Sequence, residues 1–102
     1  MNVTEIKENE FDEIIKGNEK ILIDCYAPWC GPCKMLSPVI DALSEEIPNC
    51  KFYKINIDNA NTVANKYEIM SIPTILIFEN NELKDKIIGL RSKQELIDII
   101  NK

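Results

Sequence analysis

Cys30 and Cys33 stand three residues apart, with Gly31 and Pro32 between them, inside the stretch ILIDCYAPWCGPCKML that spans 21–36. Two sulfurs at that spacing can clip a metal, staple a loop, or cycle between dithiol and disulfide. A structural zinc site needs about four ligands. The chain offers only Cys25 and Cys50 besides this pair, and no histidine. Cys50 has no second cysteine at Cys-x-x-Cys spacing, so the zinc-ribbon pattern fails. Redox chemistry is the better use. Cys30 falls where an apolar, strand-like run ends and a helical pattern begins. The first N–H groups of a helix are unpaired and its dipole is positive there. A thiolate on Cys30 would be stabilised, which brings its pKa toward neutrality. Cys33, one turn further in, is expected to be more buried and protonated. Cys30 then attacks and Cys33 resolves the mixed disulfide. Pro32 suits a first helical turn, because its missing N–H would have no partner there. Gly31 lets a partner backbone approach Cys30. A histidine between the cysteines would favour the thiolate further and make the disulfide more oxidising. Without one, the pair is expected to be a reductant.

The elements that must hold this pair follow from hydrophobic period. KILIDCYA (20–27) is an apolar run too short for a helix and reads as a strand covered on both faces. After Cys33, Leu36, Val39, Ile40, Leu43 and Ile47 recur at helical spacing, with Pro38 inside the pattern. Phe11, Ile14 and Ile15 mark a short helix closed near Gly17. KFYKINID (51–58) reads as a second buried strand, followed by a helical face at Ala60, Val63, Ala64 and Tyr67. TILIF (74–78) and LKDKII (83–88) are strands joined through Asn80-Asn81, a pair suited to a tight turn. Ser92 and Glu95 form a capping box for a last helix with Leu96, Ile99 and Ile100. With NVTEI (2–6) as an edge strand, the order is β-α-β-α-β-α-β-β-α. This is an α/β pattern: parallel βαβ units, then an antiparallel hairpin, with helices on both faces of one mixed sheet.

The length of 102 residues suits one domain with one core. The net charge of −5 disfavours nucleic acid and anionic membranes as partners. No signal peptide is visible, and no apolar run approaches a membrane span. The expected setting is intracellular and reducing, where lasting disulfides are disfavoured. Cys25 ends one strand and Cys50 begins the next. If those strands are parallel neighbours, the two sulfurs lie about 15 Å apart along the sheet. That is beyond disulfide reach, and both read as small buried hydrophobes.

With these residues in hand, the chain resembles the thioredoxin family over essentially its whole length. WCGPCK (29–34) matches the family's active-site motif, and IDCYAPWCGPCKMLSP extends the match on both sides. KINID (54–58), SIPTILIF (71–78) and Gly89 match later landmarks. The resemblance implies a single thioredoxin-fold domain over 1–102. Asp24 would be the family's buried acid, assisting proton transfer to and from Cys33, with Lys54 as its charge partner. On the residues alone, an aspartate in an apolar strand is anomalous: burial raises its pKa and suits it to acid–base work. A structural Asp24–Lys54 pair is the other reading. Ile72-Pro73 would be the family's cis-proline peptide facing the cysteines, its backbone pairing with an extended substrate segment. Trp29, Ile72, Pro73 and Gly89 would form the docking surface. Asp58 would hold the Trp29 indole, or else cap the following helix. The family often has Phe at Cys25, Trp at Tyr26 and Gly at Asn81, departures that bear on packing and fine tuning.

The resulting expectation is a cytoplasmic, monomeric protein disulfide reductase without a bound cofactor. It would be re-reduced by a thioredoxin reductase and act on disulfide-containing clients. A thiol oxidase or isomerase uses the same sulfurs with a more oxidising couple. A thioredoxin-fold binding module would survive loss of both cysteines.

Overall fold

The computed structural model describes residues 2–102. Strand β1 covers Val3–Ile6, β2 Lys20–Tyr26, β3 Cys50–Asn56, β4 Thr74–Glu79 and β5 Glu82–Ile88. The helices are α1 Phe11–Ile14, α2 Gly31–Glu46, α3 Asn61–Lys66 and α4 Lys93–Ile100. They build one sheet in the order β1-β3-β2-β4-β5. β1, β3 and β2 run parallel, while β4 is antiparallel to both β2 and β5. The α/β mixed sheet and its terminal hairpin are those expected.

β2 is the middle strand, and its unbroken apolar character has a direct cause. Leu22 packs toward α2 and α4, against Leu36, Ile40, Leu43 and Leu96. Ile21, Ile23 and Cys25 pack on the opposite side with Phe11, Ala60 and Val63. Successive strand residues alternate faces, so a strand covered twice must be apolar at nearly every position. Phe11, Tyr67 and Phe78 close the second core with ring centroids 5.4–5.9 Å apart.

Turns and caps set the lengths. Asn80 and Asn81 have φ of 56° and 63°, the doubly left-handed pair of a two-residue hairpin turn. Ser92 and Glu95 form the expected reciprocal cap on α4. α2 continues through Pro38, which cannot donate to the carbonyl four residues back. One strand is shorter than its pattern suggests: β3 stops at Asn56, and Ile57–Asn59 form a 3-10 turn. The Asn56 side chain accepts the Asp58 N–H at 3.0 Å and turns the chain out of the sheet.

Candidate active site

β2 runs toward the site, and the loop at Ala27–Trp29 leads from it into α2. Cys30 is the N-cap of α2, in extended backbone at φ −87° and ψ 115°. Its Sγ accepts the Cys33 N–H at 3.2 Å, the bond a serine or aspartate oxygen makes at other helix starts. Cys30 and Cys33 are joined as a disulfide, with Cα atoms 5.3 Å apart. Pro32 sits at the second helical position. A Cβ on Gly31 would meet nothing within 4 Å, so no packing inside the chain requires that glycine.

The expected difference in burial between the two cysteines is absent: each is 4% exposed. Bonding to Cys33 folds the Cys30 side chain back over the first turn, where the pair packs with Ala27 and the partly buried Tyr26 and Ile72. The sulfurs differ in their surroundings instead. Cys30 Sγ receives a helix N–H and lies 3.8 Å from the Ile72 carbonyl oxygen. Cys33 lines a cavity of about 200 Å³ together with Asp24, Tyr26, Lys34, Ser37 and Lys54.

Asp24 is 4% exposed, and its Oδ1 has no hydrogen-bond partner among the described residues. Desolvation by burial raises its carboxyl from 3.8 to about 7. Lys54 pulls the value down, while Asp41 and Glu5 push it up. Lys54 is the register partner of Asp24 across β2 and β3. Among the described residues the two form no ion pair within 4 Å, and Lys54 acts on Asp24 through its charge across the sheet. The Lys54 ammonium lies over the Tyr26 ring, 5.8 Å from its centroid.

The Ile72-Pro73 bond is cis, as expected. The segment is anchored by the Gly89 N–H, which donates to the Pro73 carbonyl at 2.9 Å, and by the Thr74 hydroxyl, which donates to Ser71 O at 2.5 Å. Trp29 is 70% exposed. Its indole N–H donates to Asp58 Oδ2 at 2.9 Å. Asp58 is not the cap of α3, whose N-cap is Ala60. The first N–H groups of that helix, from Thr62 and Val63, donate instead to Glu8 Oε1 at 2.5 and 3.0 Å.

Of the four residues expected to form a docking surface, Trp29, Ile72 and Gly89 reach the surface, while Pro73 is buried. Met70, Ile88 and Leu90, absent from the expected set, are exposed on the segments that carry Ile72 and Gly89. The signal that could have found them is their place: Met70 and Leu90 are apolar residues outside any helical or strand period, and Ile88 is the exposed last residue of β5. Cys25 and Cys50 are free and buried. Burial pushes both thiols up, Cys50 to about 11 and Cys25 further. The register sets Cys50 opposite Lys20 and Cys25 opposite Ile55, five residues along the sheet and in different cores.

A closable pair of sulfurs at the helix that follows the middle strand of such a sheet defines a class of enzymes, the thiol–disulfide oxidoreductases. The family model "Thioredoxin" matches residues 2–102. Thioredoxin of Rickettsia typhi is 44% identical over 99% of this chain and 95% of its own. Thioredoxin of Porphyra purpurea is 43% identical over 100% and 97%. Among solved structures, a mutant thioredoxin from Halobacterium salinarum NRC-1 superposes with a TM-score of 0.91 at 32% identity, covering 98% of this chain and 88% of that one. The chain belongs to the thioredoxin family, and its activity is thiol–disulfide reduction.

Proposed function

We propose that the chain acts as a general protein disulfide reductase in which Cys30 is the nucleophile, Cys33 the resolving thiol and Asp24 the proton acceptor for Cys33. The observation that carries this reading is the bond from the Cys33 N–H to Cys30 Sγ, with Asp24 lining the cavity that Cys33 shares. In the dithiol state the same N–H and the helix dipole favour negative charge on Cys30. The Cys30 thiolate attacks one sulfur of a client disulfide, and the other sulfur leaves as a thiolate that takes a proton. Cys33 passes its proton to the Asp24 carboxylate and attacks Cys30 Sγ. The second client sulfur is expelled and protonated. Two client thiols and the Cys30–Cys33 disulfide result, so two electrons have moved.

Trp29, Ile72 and Gly89 would receive the client, with Pro73 shaping the segment from beneath. The Ile72 backbone would align an extended client strand beside Cys30. Asp58 would fix the Trp29 indole, and Lys54 would moderate the charge on Asp24. Residues 1–102 would work as one domain and as a monomer, in the cytoplasm, with a thioredoxin reductase returning the two electrons. Among the described residues no helix is long and apolar enough to cross a membrane.

The test is reduction of insulin driven by dithiothreitol. Wild type should accelerate precipitation of the insulin chains, and Cys30→Ser should abolish the acceleration. Cys33→Ser should instead accumulate a mixed disulfide through Cys30, visible as a mass adduct. No acceleration by wild type would overturn the reading.

A further inference from the structure

The parallel register of three strands sets Glu5 of β1, Lys54 of β3 and Asp24 of β2 side by side in one row. Aligned residues of parallel neighbours point to the same face, so one ammonium stands between two carboxylates. It could pair with either. Glu5 is exposed and Asp24 buried, so an ion pair with Glu5 would form at much lower desolvation cost. Yet among the described residues Lys54 makes no ion pair with Glu5. Tyr26 occupies Glu5: its hydroxyl donates to both carboxylate oxygens, at 2.6 and 2.8 Å. Its ring lies under the Lys54 ammonium and it lines the Asp24 cavity. One side chain therefore touches Glu5 and Lys54 and borders the space beside Asp24.

We propose that Tyr26 is a positioning residue: by hydrogen-bonding Glu5 it keeps the Lys54 ammonium available to Asp24 instead of losing it to a surface ion pair. The inference rests on the reading of Asp24 as the proton acceptor, and it names what governs that group. The charged and titratable neighbours of Asp24 are Glu5 on β1, Lys54 on β3, Tyr26 on its own strand, and Cys33, Lys34 and Asp41 on α2. β4 sets the apolar Ile75 against it. Lys54 lowers the affinity of Asp24 for protons, and Glu5 and Asp41 raise it. Moving Lys54 toward Glu5 therefore weakens the positive charge that opposes protonation of Asp24.

Tyr26→Phe isolates the hydroxyl, because the phenylalanine ring still lies beneath Lys54. The measurement is a titration of the Asp24 side-chain carboxyl by carbon-13 NMR in the oxidised protein. The Asp24 midpoint should rise in Tyr26→Phe by about half a pH unit or more, as loss of a nearby opposite charge requires. Adding Glu5→Gln should cancel the rise, because no competitor for Lys54 is left. In a Lys54→Met background, Tyr26→Phe should leave the midpoint where Lys54→Met alone puts it. An unchanged or lowered midpoint in Tyr26→Phe, or a rise that survives Glu5→Gln or Lys54→Met, overturns the proposal. A purely structural role would alter stability without this pattern. The titration reads Asp24 whatever its use. Full insulin reduction by Asp24→Asn at pH 8 would instead remove the proton-acceptor reading and leave the charge row standing.

Discussion

At Asp24 the fold holds a carboxyl whose affinity for protons is far above that of an unfolded aspartate. Between about pH 4 and about pH 7 the folded chain therefore binds more protons than the unfolded one, and stability falls as pH rises. The usual acid case is reversed: the penalty is absent below about 4 and complete above about 7. From 3.8 to about 7, at ~1.4 kcal/mol per pH unit, ionisation costs the fold on the order of 4 kcal/mol. Asp24→Asn removes that ionisation. Guanidinium unfolding of the oxidised proteins should show the variant gaining on wild type from pH 4 to pH 7, reaching a few kcal/mol by pH 8. A gap independent of pH would contradict the assignment. The anomaly of Asp24 was legible, because an aspartate in a doubly covered strand has few bland explanations. The whereabouts of Lys54 were not. A four-carbon stem reaches several partners, and the competing Glu5 lies on a strand 21 residues away from Tyr26 in sequence. The even burial of Cys30 and Cys33 also escaped sequence reasoning, since it depends on the bond between them.

Among the elements, α3 has only six residues and no side-chain cap of its own. Glu8 supplies both the hydrogen-bond acceptor and the negative charge that the start of a helix favours. It reaches there from the 3-10 turn Glu8–Glu10. Glu8→Ala should lower stability by about 1 kcal/mol, the typical worth of a cap. Guanidinium unfolding measures this. A neutral substitution would show that the two bonds are dispensable. Period and turn chemistry carried most of the element order. The helix of Leu36, Ile40 and Leu43, the Asn80-Asn81 turn and the Ser92 box each declare themselves within a few residues. What stayed hidden was non-local or was decided by one side chain. The Glu8 cap spans 54 residues, and Asn56 ends β3 early through a bond no apolar pattern encodes.

At the scale of the molecule, an acidic protein exposes several large apolar side chains. Trp29, Met70, Ile88 and Leu90 are all exposed, and in the proposed function burial of such surface would draw a client in. Ile72→Asp should therefore raise the KM for insulin by about tenfold, the equivalent of ~1.4 kcal/mol. Turnover of a small aromatic disulfide, which uses Cys30 and Cys33 but little of the surrounding surface, should change much less. Equal losses on both substrates would mean that the substitution damaged the sulfurs rather than the face. The motif made the centre of this surface readable. The exposure of Met70, Ile88 and Leu90 was not, because the folded chain decides it and no local motif does.

The separation of Cys25 from Cys50, and of both from the active pair, fixes the capacity of the molecule. Each spare thiol lies in its own core, with burial holding its proton in place. Neither shares a core cluster with the other or with Cys30. One chain therefore stores a single electron pair and must be recharged after every turnover. The reducing current it can carry scales with the number of copies and the frequency of their encounters, not with the four cysteines each copy contains.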